Sequence, residues 1–282
     1  MDWEEITSEL QIILAFVGVY AVIFLVAKAL KDAFTPYHLV EEIAKRDNFA
    51  AGISLGGYFL ATALIFVGAV SGPSQGLMTD IATVSAYAVL GLVFLNLSRW
   101  CLDKLVFHKF CNITAIVENR NCGMAAVRFG VYIATGLIAG ASLHGEGGGA
   151  LTAIVFFILG QIVLIIFSKI YDWATPFHLQ EEVKSGNLAA GVAFGGSVAA
   201  LGLIVAKSVY GDFISWSANL ITFAEIAITG IVILQIVRFF MDKLILTGHD
   251  INKEISVDKN VAAGFVEMSV ALSFAIVLTA LL

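Results

Sequence analysis

The feature that most constrains this chain is a stretch that occurs twice. Residues 35–59 read TPYHLVEEIAKRDNFAAGISLGGYF, and residues 175–197 read TPFHLQEEVKSGNLAAGVAFGGS. An Asp-Lys-Leu motif and several single residues recur at the same spacing, 139 or 140 positions. An internal repeat of this length decides the architecture before any local pattern does. The chain is therefore predicted to be two copies of one unit, residues 1–143 and 150–282, joined by an outward-facing linker at 144–149.

The composition places both copies in a membrane. Of the 282 residues, 59% are hydrophobic and 13% are charged, whereas soluble proteins have about 25% charged residues. Apolar runs recur at about 20 residues, the length of a helix that crosses a bilayer. Lipid cannot hydrogen-bond a backbone, and the runs lack the alternation of barrel strands, so all spans are predicted to be helices. The predicted spans, numbered one to eight, are roughly 10–30, 49–70, 80–100, 122–142, 150–168, 188–206, 217–237 and 260–282.

The basic residues predict how the spans are oriented. All of the 16 Lys and Arg residues except Lys207 lie at or near the same ends of the spans. Because basic residues concentrate in cytoplasmic loops, both termini are predicted on the outer side, in agreement with the acidic Asp2, Glu4 and Glu5. A cleaved signal peptide is not expected, since no basic segment precedes the first span. Each unit has an even number of spans, so the two units are parallel and related by a pseudo-two-fold axis along the membrane normal.

An asparagine precedes each even-numbered span. Asn48, Asn121, Asn187 and Asn260 are separated by 73, 66 and 73 residues, so each unit also contains a weaker repeat of its own. Asparagine is a strong helix N-cap, and these four residues are predicted to cap the even spans at the cytoplasmic surface. Short amphipathic helices that begin at Pro36 and Pro176 are predicted to lie in the membrane interface before spans two and six.

The even spans also carry glycines at helix-packing spacing. Small residues four positions apart let helices approach closely in lipid. Such pairs also occur by chance in apolar helices, but here they recur at matched positions, which favours a central layer of even spans surrounded by the odd ones. The pairs are Gly52 and Gly56, Gly191 and Gly195, and Gly136 and Gly140.

The repeated stretch resembles a known but uncharacterised family. Thr-Pro, the Asn caps and the Ala-Ala and Gly-Gly pairs, which occur in both copies, resemble the bacterial inner-membrane family called domain of unknown function 350. Units of that family typically have four spans, and the chain looks like two of them in tandem over nearly its whole length. The resemblance implies an inner-membrane location and a link to envelope stress. It brings no catalytic or binding residues with it.

Two ionisable residues occupy equivalent positions inside the even spans. Arg128 and Glu267 each lie seven residues after an Asn cap, and charges within a membrane mark functional sites by default because they are costly. Three interpretations are open. The favoured one is an ion pair between the two side chains that holds the units in register, and the second is that they line a path for a solute or ion. The third is that they snorkel to the membrane surface or are exposed separately.

Glu225 is a third ionisable residue, about nine residues into span seven. The first copy has Ala86 at this position, so the carboxyl has no counterpart. Proton or cation handling is one interpretation. A protonated side chain that hydrogen-bonds a neighbouring helix is favoured over it, because desolvation disfavours the charged form.

Metal binding and enzyme chemistry are weakly indicated. His38 with Glu42, and His178 with Glu182, share the spacing HxxEE and could face one another on a helix. The favoured interpretation is acidic residues that complement a helix dipole. No established catalytic or phosphate-binding motif is present, so the chain is predicted to be neither an enzyme nor a cofactor-binding protein.

Two functional hypotheses remain. The first is permeation or transport of a small ion or proton, with Arg128, Glu267 and Glu225 as path residues. The second is a structural or signalling membrane component that senses the state of the envelope and recruits cytoplasmic proteins. The spans contain few polar groups and no proline, which weakens the first hypothesis, because transporters commonly break helices at the midplane. Predicted partners are the lipid bilayer, further copies of the chain and a cytoplasmic protein, with no nucleic acid.

Overall fold

The computed structural model describes residues 3–145, 147–245 and 247–282, and every regular element in these parts is a helix. Eight helices are long and apolar enough to cross a membrane, as predicted. Asp2 and Glu146, and the side chains of Glu4, Glu5 and Asp242, lie outside the described parts. Spans one to eight are Trp3–Ala33, Phe49–Val70, Leu77–Cys101, Cys122–Ser142, Gly149–Ala174, Leu188–Val209, Trp216–Leu244 and Val261–Leu281. Span three continues as a π-helical turn, Leu102–Val106.

A short helical segment precedes each even span. These segments are Glu41–Lys45, Asn112–Val117, Leu179–Lys184 and Ile251–Ser256. The segment before span two is a π-helical turn, in which the Arg46 amide bonds the Glu41 carbonyl, whereas its twin before span six is α-helical. The first copy has one extra residue between Glu42 and Asn48. A wider turn accommodates an inserted residue without changing the chain direction.

The four asparagines begin the four even spans. Their side-chain Oδ1 atoms accept hydrogen bonds from backbone amides in the first turn, at Ala51, Met124, Ala190 and Ala263. Each satisfies one of the amides that a helix start leaves unpaired. All four even spans therefore start on one side of the bundle, here called the capped side.

The side-chain amides of these asparagines connect successive even spans. Nδ2 of Asn48 donates to the carbonyls of Ile116 and Val117, both at 3.1 Å, in the segment before span four. Asn121 donates in the same way to Val183 at 2.7 Å, before span six, and Asn187 to Ile255 at 2.7 Å, before span eight. Each cap thus fixes its own helix and positions the start of the next one.

The even spans form an open row in the order two, four, six, eight. Each packs along the next through small residues. Span three lies against spans two and four, span five against four and six, and span seven against six and eight. The predicted central layer of even spans is thus observed. Spans three, five and seven fill the grooves between neighbouring even spans, and span one lies against spans two and three. Spans two and eight are the two ends of the row.

The glycine pairs differ in whether they contact a neighbouring helix, because their spans occupy different places in this row. A Cβ added to Gly191 would overlap the backbone of Gly123, and one added to Gly195 would lie 2.6 Å from the Ala126 carbonyl oxygen. For the equivalent Gly52 and Gly56 of span two, no described atom lies within 4 Å of an added Cβ. The prediction that this pair packs within the chain is wrong for the described residues, because span two has its one neighbour among their even spans, span four, on the other face.

Candidate functional site

The site is a layer of buried polar side chains about two helical turns from the Asn caps. In the first unit it is centred on Arg128, whose side chain is only 1% exposed. Its guanidinium lies 3.0 Å from both carboxylate oxygens of Asp103, at the end of span three. Asn112 donates a further hydrogen bond to Asp103 at 2.7 Å. The charge is therefore held between spans three and four of one unit.

In the second unit the layer is centred on Glu267, which is 3% exposed. Its Oε1 accepts hydrogen bonds from the Tyr171 hydroxyl at 2.7 Å and from Nε of Arg238 at 2.9 Å. Arg238 also donates to Oδ1 of Asn252 at 2.9 Å and lies over the Tyr171 ring, 4.8 Å from its centroid. The second carboxylate oxygen of Glu267 is buried and has no hydrogen-bond partner in the described structure.

Arg128 and Glu267 do not form the predicted ion pair between the units. The first is on span four and the second on span eight, and span six lies between them in the row. Each finds its partner on the odd span of its own unit instead. The two units therefore use opposite polarity at the same place: the even span supplies the cation in the first unit and the anion in the second.

Lys31 is a member of this layer that the sequence did not single out. It is 1% exposed, its Nζ donates to the Tyr132 hydroxyl at 2.7 Å, and it lies 4.9 Å from the ring centroids of both Tyr58 and Tyr132. The second copy has Tyr171 at the equivalent position. Lys31 follows an apolar run, so the sequence pattern indicates only the orientation of span one. The alignment of Lys31 with Tyr171 is the sequence signal that distinguishes it from the other basic residues.

A second cluster that the sequence did not indicate connects the two units. The Ser98 hydroxyl lies 2.7 Å from Oγ1 of Thr135 and donates to Oε1 of Gln161 at 2.7 Å. These residues come from spans three, four and five, and all three are buried. Hydrogen bonds of this kind contribute about 0.6 kcal/mol each between helices in a membrane. The cluster joins span five to the first unit.

Glu225 lies on the outside of the bundle. Its side chain is exposed on span seven, next to the exposed Ile221 and Ile228. The predicted hydrogen bond to a neighbouring helix is not observed in the described structure. The carboxyl instead faces the region that lipid would occupy.

The HxxEE residues serve the Asn caps. Glu42 is 3% exposed and accepts from Asn48 at 3.2 Å and from Arg46 at 2.8 Å. Glu182 accepts from Asn187 at 2.8 Å. Neither carboxylate is paired with His38 or His178, and no group of three candidate metal ligands occurs in the parts of the chain that were described.

The larger hollows lie at the two surfaces of the bundle. On the capped side, one of about 700 Å³ opens beside Arg238 and Lys243, and one of about 390 Å³ lies between His108 and Lys169. A hollow of about 730 Å³ on the opposite side is bordered by spans one and three. The polar layer is thus approached from the capped side.

Among the described groups outside the spans, Tyr37 and Cys111 have shifted pKa values. Burial raises the pKa of the Tyr37 hydroxyl, against the influence of the nearby Arg128 and Arg99. A hydrogen bond to the side chain of Thr114 lowers the pKa of the exposed Cys111 thiol. Cys111 is therefore the cysteine best suited to react with a thiol reagent in water.

Comparison with known families agrees with the two copies seen in the fold. The family described as Domain of Unknown Function (DUF350) matches residues 5–143 and, a second time, residues 147–282. The chain belongs to the DUF350 family. Together with the eight apolar helices, this membership makes it a membrane protein built from two DUF350 units.

Two curated relatives of this DUF350 protein are transmembrane proteins. A UPF0719 transmembrane protein of Aquifex aeolicus (strain VF5) is 24% identical over 159 residues, which is 54% of this chain and 58% of the relative. The UPF0719 transmembrane protein YshE of Bacillus subtilis (strain 168) is 28% identical over 123 residues, 43% of this chain and 87% of YshE. The chain thus spans little more than half of the Aquifex protein's length. No solved structure matches the chain.

Proposed function

We propose that this protein is a non-enzymatic structural component of the bacterial inner membrane, which presents its capped side to the cytoplasm and both termini to the outside. The observation that carries the proposal is the pairing of the buried charges. Arg128 and Glu267 are each bonded to a side chain on the adjacent odd span of their own unit. Ion pairs of this kind hold helices together, whereas a conduction path needs groups that an ion can reach and leave.

The packing of the even spans supports the same proposal. Beyond the polar layer, the row is closed by direct contact between small residues, such as Gly68 with Gly140 and Gly136 with Ala61. Close backbone contact of this kind makes a rigid wall within the bilayer. A rigid membrane body with an accessible cytoplasmic face is suited to recruiting cytoplasmic proteins. The family resemblance makes the state of the envelope the signal to test first.

Permeation of protons or small ions is the second candidate. It is favoured by two specific observations: the unpartnered Oε2 of Glu267, which is buried, and the exposed carboxyl of Glu225 within span seven. A carboxyl with a free oxygen in the polar layer can accept a proton. Under this alternative, a proton enters from the capped side through the hollow beside Arg238.

Flux measurements in proteoliposomes separate the two candidates. The purified protein is reconstituted, and proton and potassium flux are recorded under a pH gradient and under a membrane potential. The structural proposal expects flux equal to that of protein-free vesicles, for the wild type as well as for Glu267→Gln and Glu225→Gln. Glu181→Gln changes an exposed carboxyl outside the spans and is the matched control. Flux that the first two variants abolish and the control leaves intact would overturn the structural role in favour of permeation.

A further inference from the structure

The three contacts between successive even spans repeat one pattern. Each even span meets the next through a forward face, formed by the residues two, nine and thirteen positions after its Asn cap. It meets the previous one through a backward face, four, eight and fifteen positions after the cap. Added Cβ atoms show this in each interface: Gly136 would meet Ala61, Gly202 would meet Ala134, and Gly264 would meet Ala189. The same contact is therefore repeated between each pair of successive even spans.

Within residues 3–145, 147–245 and 247–282, two faces of this pattern have no partner helix. They are the backward face of span two and the forward face of span eight. We propose that the forward face of span eight in one copy packs against the backward face of span two in a second copy, so that the row of even spans continues from chain to chain. The inference concerns assembly only, and it holds whether or not the protein conducts ions.

The free face of span two has the residues of a used interface. Gly52, Gly56 and Ala63 occupy its three positions. Gly52 and Gly56 correspond to Gly191 and Gly195 of span six, which contact span four. In span two, both positions meet open space. Glycines in an apolar, lipid-facing helix contribute nothing to burial unless a second helix lies against them.

The larger side chains around this face are exposed in span two and replaced by smaller, buried ones in span six. Leu60 is 52% exposed and its counterpart Ala199 is 6% exposed; Val67 is 60% exposed and its counterpart Ala206 is 8% exposed. The difference arises because span four covers span six at this face. The same surface of span two is uncovered.

The free face of span eight is complementary in size. Its forward positions hold Ala262, Ser269 and Ser273, and all three are exposed. Continuing the row brings small residues together at every level: Gly52 near Ala262, Gly56 near Ser269, and Ala63 near Ser273. At the position of Gly56 and Ser269, two of the three internal interfaces contain a larger side chain, where Gly57 meets Phe129 and Gly196 meets Met268. At these three positions the proposed contact therefore brings together no larger side chains than the internal interfaces do.

The Asn caps point to the same contact. Three of them donate to the following short segment, at Ile116, Val183 and Ile255, and each of these residues is fully buried. Among the described residues, the side-chain amide of Asn260 donates to Glu254 of its own segment at 2.9 Å. The corresponding residue of the first segment is Ile43, which is 36% exposed. In the continued row, Asn260 of one copy lies beside Ile43 of the next.

The lengths of the relatives support a second copy as the occupant. The match of 123 residues covers 87% of YshE, so this relative is about as long as one unit of the present chain. A protein of one unit has only two even spans. The equivalent of the contact between spans four and six can therefore form in it only between two separate chains. The proposed contact is of the same kind, between two copies of the present chain. Since its two sides differ, it is head-to-tail and generates a ring or a longer row.

Disulfide cross-linking tests the proposal directly. In a background with Cys101, Cys111 and Cys122 replaced by alanine, Gly56→Cys and Ser269→Cys are made separately in two differently tagged copies and coexpressed. Close small-residue contact brings Cβ atoms within disulfide reach. Oxidation in the membrane is expected to join one variant to the other, and neither variant to itself. Val17→Cys, on a lipid-facing position of span one, is the control for random collision and is expected to give at least tenfold less product with Ser269→Cys.

A second variant separates assembly from folding. Gly56→Leu is expected to reduce the cross-linked or oligomeric fraction at least tenfold and to leave the thermal unfolding of the single chain unchanged, because Gly56 meets open space. Gly195→Leu alters the equivalent position inside the chain and is expected to unfold it. Cross-linking of Gly56→Cys to itself would overturn the head-to-tail contact. A single monomeric species in membranes, without product from the mixed pair, would overturn the assembly altogether.

Discussion

The buried pair of Arg238 and Glu267 gives the sharpest test of how this bundle is stabilised. Arg238→Leu removes one of the two donors to Oε1 of Glu267, a carboxylate that is 3% exposed. Breaking a buried pair on one side costs about 3–5 kcal/mol, since the remaining charge keeps its desolvation cost. The folded-to-unfolded ratio should therefore fall by about two to four powers of ten.

The double variant Arg238→Leu/Glu267→Leu carries the decisive comparison. With both charges removed, apolar side chains of similar size fill the space, and such replacements are neutral or stabilising by about 1–4 kcal/mol. The double variant should thus be more stable than Arg238→Leu alone. The assay is denaturant or thermal unfolding of the purified protein in one detergent, and the coupling energy is taken from the double-mutant cycle.

An exposed ion pair of the same protein is the control. Lys109 and Glu181 are 3.6 Å apart and are 48% and 53% exposed, and a pair of this kind contributes about 0–1 kcal/mol. Its cycle should therefore give a small coupling energy in the same assay. If the two substitutions at Arg238 and Glu267 add without coupling, or if Arg238→Leu costs less than about 1 kcal/mol, the pair is not what holds spans seven and eight together.

Three further predictions concern packing, orientation and span seven. Gly130→Leu should destabilise the bundle by about 1–3 kcal/mol or more, because its side chain would overlap the Gly195 carbonyl of span six. Gly18→Leu is the control and should not destabilise it, since no described atom lies within 4 Å of a Cβ added to Gly18; equal unfolding temperatures of the two variants would contradict the prediction. Cys111 should react with a membrane-impermeant maleimide in inverted vesicles and not in intact cells, and labelling of intact cells would contradict the proposed orientation. Thr114→Ala should slow the reaction near neutral pH, because loss of the hydrogen bond raises the pKa of the Cys111 thiol and lowers the thiolate fraction. Glu225→Leu should improve membrane insertion, measured as the inserted fraction, by up to about 2.5–3.5 kcal/mol, and poorer insertion would show that the carboxyl has a partner.

Much of this fold follows from the sequence because its signals are local and repeated. The length of an apolar run decides whether a helix can span a membrane, and the spacing of Asn48, Asn121, Asn187 and Asn260 marks where the even spans begin. Matched glycines then indicate which helices approach closely. None of these inferences requires knowledge of which span neighbours which.

The partners of the buried charges could not be predicted in this way, because they depend on which spans are neighbours. Arg128 and Glu267 are equivalent in sequence, and the repeat suggested that they meet; the row places span six between them. Lys31 bonds Tyr132 across 101 positions of sequence, and nothing in the local pattern links the two. The π-helical turn at Glu41–Lys45 was likewise visible only as one extra residue, without its conformation.

The opposite polarity of the two units has a consequence for how such a protein can diverge. In an assembly of identical one-unit chains, a mutation of Arg128 to an acid would appear in every subunit at once, and every partner would have to change with it. Within one polypeptide, the second copy could acquire Glu267, Tyr171 and their bond while the first kept Arg128 and Lys31. Fusion of the two units thus allows each half of the polar layer to specialise separately. It also fixes the order of the two units, with the cation on the even span of the first and the carboxylate on the even span of the second.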